Sequence, residues 1–292
     1  MSVADPTVAT GTSALVTVDW ARDHLDDPQV RFVEVDVDTS AYDTGHLPGA
    51  VGLNWTSQLT DSIRRDLVSR GALEDLLRNA GIDDDTLIVL YGDNNNWFAA
   101  WAYWQLRYHG IDNVKLLDGG RKKVEASGLP LTTDRPSRRR GSITVPEGTR
   151  EELRAYRDQV IAGLDDASRR LVDVRSPEEF RGELAAPAHL PQEVAQRKGH
   201  IPGAANVPWG SAVAEDGTFK PVDELRALYA GKGITGDGEV IAYCRIGERS
   251  SHTWFVLHEL LGYANVRNYD GSWTEYGSLV GVPIETGDPG AR

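Results

Sequence analysis

The sequence lacks most of the residues that build disulfides and metal sites. It contains one cysteine, Cys244, among 292 residues. A lone cysteine cannot form an internal disulfide, so we predict a protein of the reducing cytoplasm. No Cys/His cluster has metal-ligand spacing, and we expect neither a metal nor another cofactor.

Positive charge and long apolar runs are also scarce. Lys and Arg number 31 against 44 Asp and Glu, which gives a formal net charge of -13. Nucleic acids and anionic membranes bind basic surfaces, so we expect neither as a partner. No apolar run approaches the ~18 residues of a membrane-spanning helix. Residues 1–12 lack the charged and apolar regions of a signal peptide.

An internal repeat organises the chain. Gly45 to Ala50 (GHLPGA) recurs as Gly199 to Ala204 (GHIPGA), and Asp118-Gly119 recurs as Asp270-Gly271. A repeat at a separation of about 150 residues is typical of two homologous domains rather than of a solenoid. Between the copies, the polar and basic stretch Thr132 to Gly141 has the composition of a linker. We predict one domain over residues 1–136, a linker over 137–141 and a second domain over 142–292.

Strand-like and helix-like segments alternate in both halves. Leu87 to Tyr91 and Glu239 to Tyr243 are short apolar runs, whereas Trp97 to His109 and Ser251 to Leu261 have helical length and end before glycine. This alternation predicts an α/β fold in which a mainly parallel sheet is flanked by helices in each half. Reactive groups of such sheets lie beyond the carboxyl ends of the strands. Cys244 directly follows a predicted strand and occupies that position.

The segment after this strand has the features of an anion-binding loop. Gly247 permits a tight turn, and Ser250 or Ser251 is a suitable N-cap for the following helix. A short loop that closes onto a helix N-terminus directs several backbone N–H groups at one spot, here near the Cys244 sulfur. Because the residues after Cys244 are charged or turn-forming, we expect an exposed loop and a nucleophilic cysteine.

Charged residues in the loop bear on the reactivity of the thiol. The helix N-terminus, Arg245 and Arg249 all favour a thiolate, so we predict that the pKa of Cys244 lies below its ordinary value of about 8.5. Glu248 opposes this shift unless its side chain points outward.

Several other noticeable residues receive structural interpretations. His46 and His200 belong to the repeated turns, where a hydrogen bond to the backbone is expected. His252 is expected on the surface of the helix that follows Cys244. An aromatic cluster is expected in the core and at the contact between the halves. Its members are Trp97, Trp101, Tyr103 and Trp104.

Four motifs together make the chain resemble the rhodanese family, specifically its tandem-domain thiosulfate sulfurtransferases. They are Asp173-Val174-Arg175, Gly199 to Ala204 with Asn206, Cys244-Arg245-x-Gly247, and Tyr269 to Trp273 (YDGSW). The resemblance covers nearly the whole chain. It implies two tandem rhodanese-like domains, of which only the C-terminal one carries a nucleophilic cysteine. Gly92 stands at the position that corresponds to Cys244, so the N-terminal domain is expected to be non-catalytic.

The resemblance also implies the reaction and its residues. The Cys244 thiolate would take the outer sulfur of thiosulfate and release sulfite. The resulting persulfide would pass its sulfur to cyanide or to a thiol, on a small molecule or a protein. Asp173 and Arg175 are expected to form a structural ion pair near the site. The residues expected to bind the substrate are Arg245, Ile246, Gly247, Glu248, Arg249, Ser250, Arg181 and Trp273.

The identity of the sulfur donor stays open. Arg245 directly after the cysteine resembles the thiosulfate-using branch, whereas the 3-mercaptopyruvate-using branch typically has Gly there. Ile246 and Glu179 stand where the thiosulfate branch often has cations, and Arg181 or Arg249 could compensate. The alternatives are therefore a 3-mercaptopyruvate sulfurtransferase and a persulfide-carrying module that delivers sulfur to a protein. A cysteine phosphatase, with a C-x5-R loop, would need its Arg one position beyond Arg249.

Overall fold

The structure, a computed structural model, describes residues 14–135, 138–186 and 194–288. The predictions that concern residues 1–12 and Ser137 of the linker fall outside these described residues. Within them, both halves of the chain form a parallel sheet covered by helices, as the alternation of segments predicted. None of the helices in this part of the chain combines the length and apolar character needed to span a bilayer.

Residues 14–135 contain seven strands and six helices. The strands are β1 (Leu15–Val16), β2 (Val30–Asp36), β3 (Val51–Asn54), β4 (Thr60–Asp61), β5 (Asp66–Leu67), β6 (Leu87–Tyr91) and β7 (Val114–Leu117). The helices are α1 (Val18–Asp23), α2 (Ser40–Thr44), α3 (Trp55–Gln58), α4 (Arg70–Asn79), α5 (Asp93–Tyr108) and α6 (Gly120–Ala126). Five strands form a parallel sheet in the order β1-β7-β6-β2-β3, and β4 and β5 pair as a small antiparallel hairpin.

The described residues from 138 onward contain four strands and five α-helices. The strands are β8 (Arg169–Asp173), β9 (Ala205–Asn206), β10 (Glu239–Tyr243) and β11 (Val266–Asn268). The helices are α7 (Arg157–Ala162), α8 (Pro177–Phe180), α9 (Val222–Ala230), α10 (Glu248–Phe255), which continues as a π-helical turn over Val256–Leu260, and α11 (Ser272–Tyr276). The parallel order β11-β10-β8-β9 matches β7-β6-β2-β3, so the sequence repeat corresponds to a repeated topology.

The duplication extends to single hydrogen bonds. The hydroxyl of Tyr91, at the end of β6, accepts the backbone N–H of Leu47 at 3.1 Å, and Tyr243, at the end of β10, accepts that of Ile201 at 3.1 Å. In each repeated turn, histidine Nδ1 lies 2.8 Å from a backbone carbonyl, which confirms the structural interpretation of His46 and His200.

The two halves pack through the helices that follow their central strands, α5 and α10. The ring of Tyr103 meets Phe255 edge-on with centroids 4.8 Å apart, and Trp97 lies 5.2 Å from Trp209. Tyr103, Phe255 and Trp97 belong to one buried apolar cluster that contains residues of both halves, and the partly buried Trp209 packs against it. The aromatic residues of α5 therefore serve the core and the contact between the halves, as predicted, and this contact covers the carboxyl end of β10.

The chain between the halves is bound to the N-terminal half. The backbone N–H of Gly141 donates to Arg78 O at 2.7 Å, and that of Ile143 donates to Ile82 O at 3.2 Å. Arg78 Nε donates in turn to Ile143 O at 2.8 Å. This segment thus runs along the end of α4, and the boundary at residues 137–141 stays a prediction.

Candidate active site

Cys244 begins the loop that joins β10 to α10. The loop spans only residues 244–247, because Gly247 adopts a left-handed φ of 100° and α10 begins directly after it. The predicted caps, Ser250 and Ser251, therefore lie inside the helix. Their hydroxyls lie 2.9 and 2.8 Å from Gly247 O. The N-cap predicted from the sequence was wrong because the glycine turns the chain into the helix earlier than a serine cap would.

Gly247 also brings the N-terminal half against the loop. A Cβ at this position would lie 2.6 Å from Cζ3 of Trp101 and 2.7 Å from Cα of Asp270. Trp101 belongs to α5, so the contact between the halves reaches the cysteine loop itself. The loop was predicted to be exposed, but Cys244 is 0% exposed and Arg245 is 1% exposed. The loop has the local sequence of a polar turn, but the N-terminal half of the chain packs over it and buries it.

The sulfur of Cys244 has a hydrogen-bond donor and an acceptor beside it. The backbone N–H of Gly247 donates to Sγ at 3.1 Å. The thiol lies 3.3 Å from Oε2 of Glu248, to which it donates. Glu248 is 1% exposed, so its side chain points into the site and not outward.

This environment reverses the predicted shift of the thiol pKa. Burial raises the pKa of Cys244 above its ordinary value, and the charge of Glu248 raises it further. Arg249 and the backbone N–H groups of Ser250 and Gly247 lower the pKa, but by less. Loss of hydration and repulsion by the carboxylate destabilise the thiolate more than the nearby arginine and the backbone N–H groups stabilise it. Burial and the charge of Glu248 therefore both favour the protonated thiol.

The guanidinium of Arg249 binds a buried carboxylate. Its Nη1 lies 2.9 Å from Oε2 of Glu179 and its Nη2 lies 3.1 Å from Oε1, a bidentate pair. Glu179 is 0% exposed, so this arginine neutralises a charge that the fold has buried. Arg181 instead pairs with Glu183 at 2.7 Å, with 27% of its side chain exposed. The extra cation expected from Arg181 is therefore not seen at the loop.

The first turn of α11 holds the backbone of the cysteine loop. The N–H of Trp273 donates to Cys244 O at 3.0 Å, and that of Thr274 donates to Arg245 O at 3.0 Å. Ser272 Oγ accepts the N–H of Cys244 at 3.1 Å. The sequence showed the YDGSW motif but not this role, in which α11 draws the loop carbonyls away from the sulfur.

Asn268 is a second residue whose role the sequence analysis missed. It is 0% exposed at the end of β11, and its Nδ2 donates to Ser251 Oγ at 2.8 Å and to Gly247 O at 3.3 Å. Ser250 Oγ lies 2.6 Å from its Oδ1. Its position was a usable signal, because a polar residue at the end of the strand beside β10 must lie near the loop.

Asp173, Arg175 and Trp273 form a buried group next to the loop. Arg175 Nη2 lies 2.6 Å from Asp173 Oδ2, and both side chains are at most 1% exposed. The Arg175 guanidinium lies 4.7 Å from the centroid of the Trp273 ring, whose Nε1 donates to Arg197 O at 3.0 Å. Trp273, expected to bind substrate, therefore packs against the ion pair within the core.

A cavity of about 190 Å³ reaches the loop from the N-terminal half. Its lining includes Trp55, Trp101 and Arg65 from that half, and Ile246 and Asp270 from the other. Ile246, two residues after Cys244, thus contributes an apolar wall to this cavity. Both halves are needed to form this space.

His252 is buried, although a surface position was expected. It is 1% exposed, and its ring lies 4.8 Å from Phe219 and 5.2 Å from Trp209. Burial lowers its pKa to about 3. The histidine is thus a neutral core residue. Across residues 14–135, 138–186 and 194–288, no three His, Cys, Asp or Glu side chains are grouped as a metal site.

The N-terminal counterpart of the loop has no room for a side chain at Gly92. A Cβ there would lie 2.3 Å from Val35 O and 2.9 Å from Asp36 Oδ1. The chain then passes through Asn94, Asn95 and Asn96, which all have positive φ. The backbone conformation of this loop therefore differs from that of the loop of Cys244.

We expect Gly92→Ala to lower the free energy of unfolding by about 1–3 kcal/mol, the usual cost of overpacking. The matched control is Gly71→Ala, at a helical glycine whose added Cβ meets nothing within 4 Å. That change should raise the free energy of unfolding by about 0.4–1 kcal/mol. Urea denaturation measures both. Equal effects at the two positions would contradict the tight packing at Gly92.

Comparison with known proteins gives consistent matches over both halves. Residues 17–127 and 156–279 match the family described as Rhodanese-like domain. The chain is 59% identical over 276 residues to a Mycolicibacterium smegmatis protein named "Putative thiosulfate sulfurtransferase", covering 94% of this chain and 99% of that protein. It is 53% identical over 277 residues to "Sulfur carrier protein TtuD" of Thermus thermophilus, covering 94% and 97%. Its fold is similar to that of the 3-mercaptopyruvate sulfotransferase SseA of Escherichia coli, with a TM-score of 0.77 and 27% identity over 90% of this chain and 99% of the other.

Proposed function

The chain belongs to the rhodanese family of sulfurtransferases, and from this premise we propose that it takes sulfur from thiosulfate and carries it as a persulfide on Cys244. The Cys244 thiolate attacks the outer sulfur of thiosulfate, the bond between the two sulfur atoms breaks, and sulfite leaves. Cyanide or a thiol then attacks the terminal sulfur of the persulfide and releases the Cys244 thiolate.

The observation that carries this proposal is the N–H of Gly247, 3.1 Å from Sγ at the first turn of α10. Backbone donors at a helix N-terminus stabilise an anion, and the persulfide places one there. Their effect is larger in a site from which water is excluded. The carbonyl oxygens of Cys244 and Arg245 are bound by α11, so the donors stay directed at the sulfur.

We propose that the N-terminal domain, residues 1–136, has no catalytic cysteine and serves as one wall of the site. Trp101 contacts the loop at Gly247, and Trp55 lines the cavity beside Ile246. The crowding at Gly92 supports the same assignment, because a nucleophile placed there would displace β2.

Arg245 supports thiosulfate as the donor, because it places a fixed charge directly after the nucleophile. We expect Arg245→Gly to lower kcat/KM for thiosulfate by about ten- to hundredfold, the usual loss of one charge-assisted contact. The same change should leave kcat/KM for 3-mercaptopyruvate unchanged or higher. Steady-state kinetics with both donors measure this, and the thiosulfate value should also fall with rising salt.

The matched control is Arg170→Ala, an exposed arginine in β8 at the end away from the cysteine. It should leave both donors unaffected. If Arg245→Gly slows both donors equally, then Arg245 activates the sulfur and does not select the donor. If the unaltered protein prefers 3-mercaptopyruvate, the proposed donor is wrong.

A sulfur-delivery role to a protein thiol is the second candidate. Two observations favour it: the apolar surface of Ile246, Trp55 and Trp101 beside the cysteine, and the similarity to a relative named as a sulfur carrier. Slow turnover with cyanide and small thiols, together with a stable persulfide, would support this role. A phosphatase is disfavoured, because its C-x5-R loop would need an arginine at the position of Ser250, and the neighbouring Arg249 is bound to Glu179.

A further inference from the structure

The residue that faces the sulfur of Cys244 is a carboxylate from the next helical turn. Glu248 lies four positions after Cys244, in the first turn of α10, and its Oε2 lies 3.3 Å from Sγ with the thiol as donor. Both side chains are at most 1% exposed. A thiol and a carboxylate at hydrogen-bond distance in a dry site can exchange a proton directly.

The arginine that follows Glu248 is bound to a different carboxylate. Arg249 Nε lies 3.9 Å from Glu248 Oε1, which is too long for a hydrogen bond, because both Nη atoms of Arg249 bind Glu179. The charged groups that lie around Glu248 are thus Cys244 when ionised and Arg249 with its partner Glu179. An acidic residue is also favoured at a helix N-terminus by the helix dipole alone, so position in α10 does not by itself indicate catalysis.

We propose, on the premise of the proposed function, that Glu248 is the proton acceptor that activates Cys244. The thiol proton moves from Sγ to Oε2 as the sulfur attacks the outer sulfur of thiosulfate, so Glu248 acts in the attack and not by raising the resting thiolate fraction. Sulfite leaves with the electron pair of the broken bond, and the persulfide anion remains beside the protonated Glu248. When an acceptor removes the terminal sulfur, the Cys244 thiolate is regenerated and takes its proton back.

Direct proton transfer suits a buried site because it keeps the net charge of the pair constant. Because the proton stays within the pair, Cys244 and Glu248 together keep a charge of one minus in every step. A thiolate formed by losing its proton to water would place two adjacent anions in a site without solvent, against the rise in pKa already described for Cys244. Thiosulfate, a dianion, would then have to approach both.

The test compares Glu248→Gln with the unaltered protein in a single turnover, measuring sulfite release from thiosulfate near neutral pH. We expect the rate of persulfide formation to fall by about 10²-fold, the usual contribution of a positioned base. The thiolate fraction, read from the ultraviolet absorbance of the only thiol in the chain, should not fall. Removal of a neighbouring negative charge instead lowers the pKa of Cys244. The deficit should therefore shrink as pH rises and the thiolate forms without help.

The matched control is Glu224→Gln, an exposed glutamate in α9, which should keep the rate of the unaltered protein. Glu248→Asp is the second variant. It keeps the charge but shortens the side chain by one methylene. Its rate should lie between that of Glu248→Gln and that of the unaltered protein. A rate for Glu248→Gln within twofold of the unaltered protein would overturn the inference, as would a fall in thiolate fraction that matches the fall in rate.

The outcome also separates this inference from its premise. If the unaltered protein gains no sulfur from thiosulfate, the proposed function fails. If it gains one sulfur, Cys244→Ser gains none and Glu248→Gln is as fast as the unaltered protein, then the proposed function stands and the role of Glu248 fails.

Discussion

Cys244→Ser is expected to abolish sulfur transfer, leaving no more than about one per cent of the activity. A serine hydroxyl can still accept from the N–H of Gly247 and donate to Glu248, so the two contacts of Sγ are kept. It is nevertheless a far poorer nucleophile at neutral pH. The fold should be retained, with a melting temperature close to that of the unaltered protein.

Intact-mass measurement after treatment with thiosulfate checks the same prediction directly. The unaltered protein should gain the mass of one sulfur atom and lose it again when cyanide or a thiol is added. Cys244→Ser should gain none. If Cys244→Ser gained the same mass, or kept much more than about one per cent of the activity, sulfur would not be carried on this side chain.

Arg249→Met should destabilise the folded protein by about 3–5 kcal/mol, because it leaves the buried carboxylate of Glu179 without its cation. This is a large part of the about 5–15 kcal/mol that holds a typical domain folded. Replacing both partners, as Glu179→Gln with Arg249→Met, removes the uncompensated charge and should recover much of the loss. Urea denaturation of the two single variants and the double variant measures the coupling.

The pair also predicts how stability depends on pH. Burial pushes the pKa of Glu179 up, but the hydrogen bond and charge of Arg249 outweigh it, and the pKa lies below its ordinary value. The folded state therefore binds this proton less readily than the unfolded state. The stability from the pair is fully present above the unfolded pKa of about 4.3 and is lost as pH falls through the folded value. The double variant should lack this loss of stability in acid. If its stability fell with pH in the same way as that of the unaltered protein, the pair would not be the cause.

The repeated GHLPGA and GHIPGA turns and the alternation of short apolar runs with helical segments were sufficient to predict two parallel α/β domains. These are local signals: a strand buried on both faces must be apolar along its length, and a glycine marks where a helix ends. The same logic located Cys244, because the residue after a central parallel strand lies at the edge where ligands bind.

The electrostatics of the site depended on contacts that the local sequence does not encode. From its sequence, the segment Arg245 to Ser250 was predicted to be a polar, exposed turn in which two arginines stabilise the thiolate. In the fold, Trp101 from the other half buries it, and Glu179, distant in sequence, binds Arg249. Loss of water then raised the pKa of Cys244, where the charge pattern alone predicted a lower value.

The sequence by itself thus determined the duplicated topology and the position of the cysteine, since both follow from short-range patterning of apolar residues and glycine. Only the tertiary structure decided which side chains face the sulfur. Burial and charge pairing depend on segments far apart in the chain, and they set the free energy of the thiolate. Glu248 illustrates the difference: in the sequence it is one more charge in a loop, and in the fold it is the acceptor 3.3 Å from the sulfur.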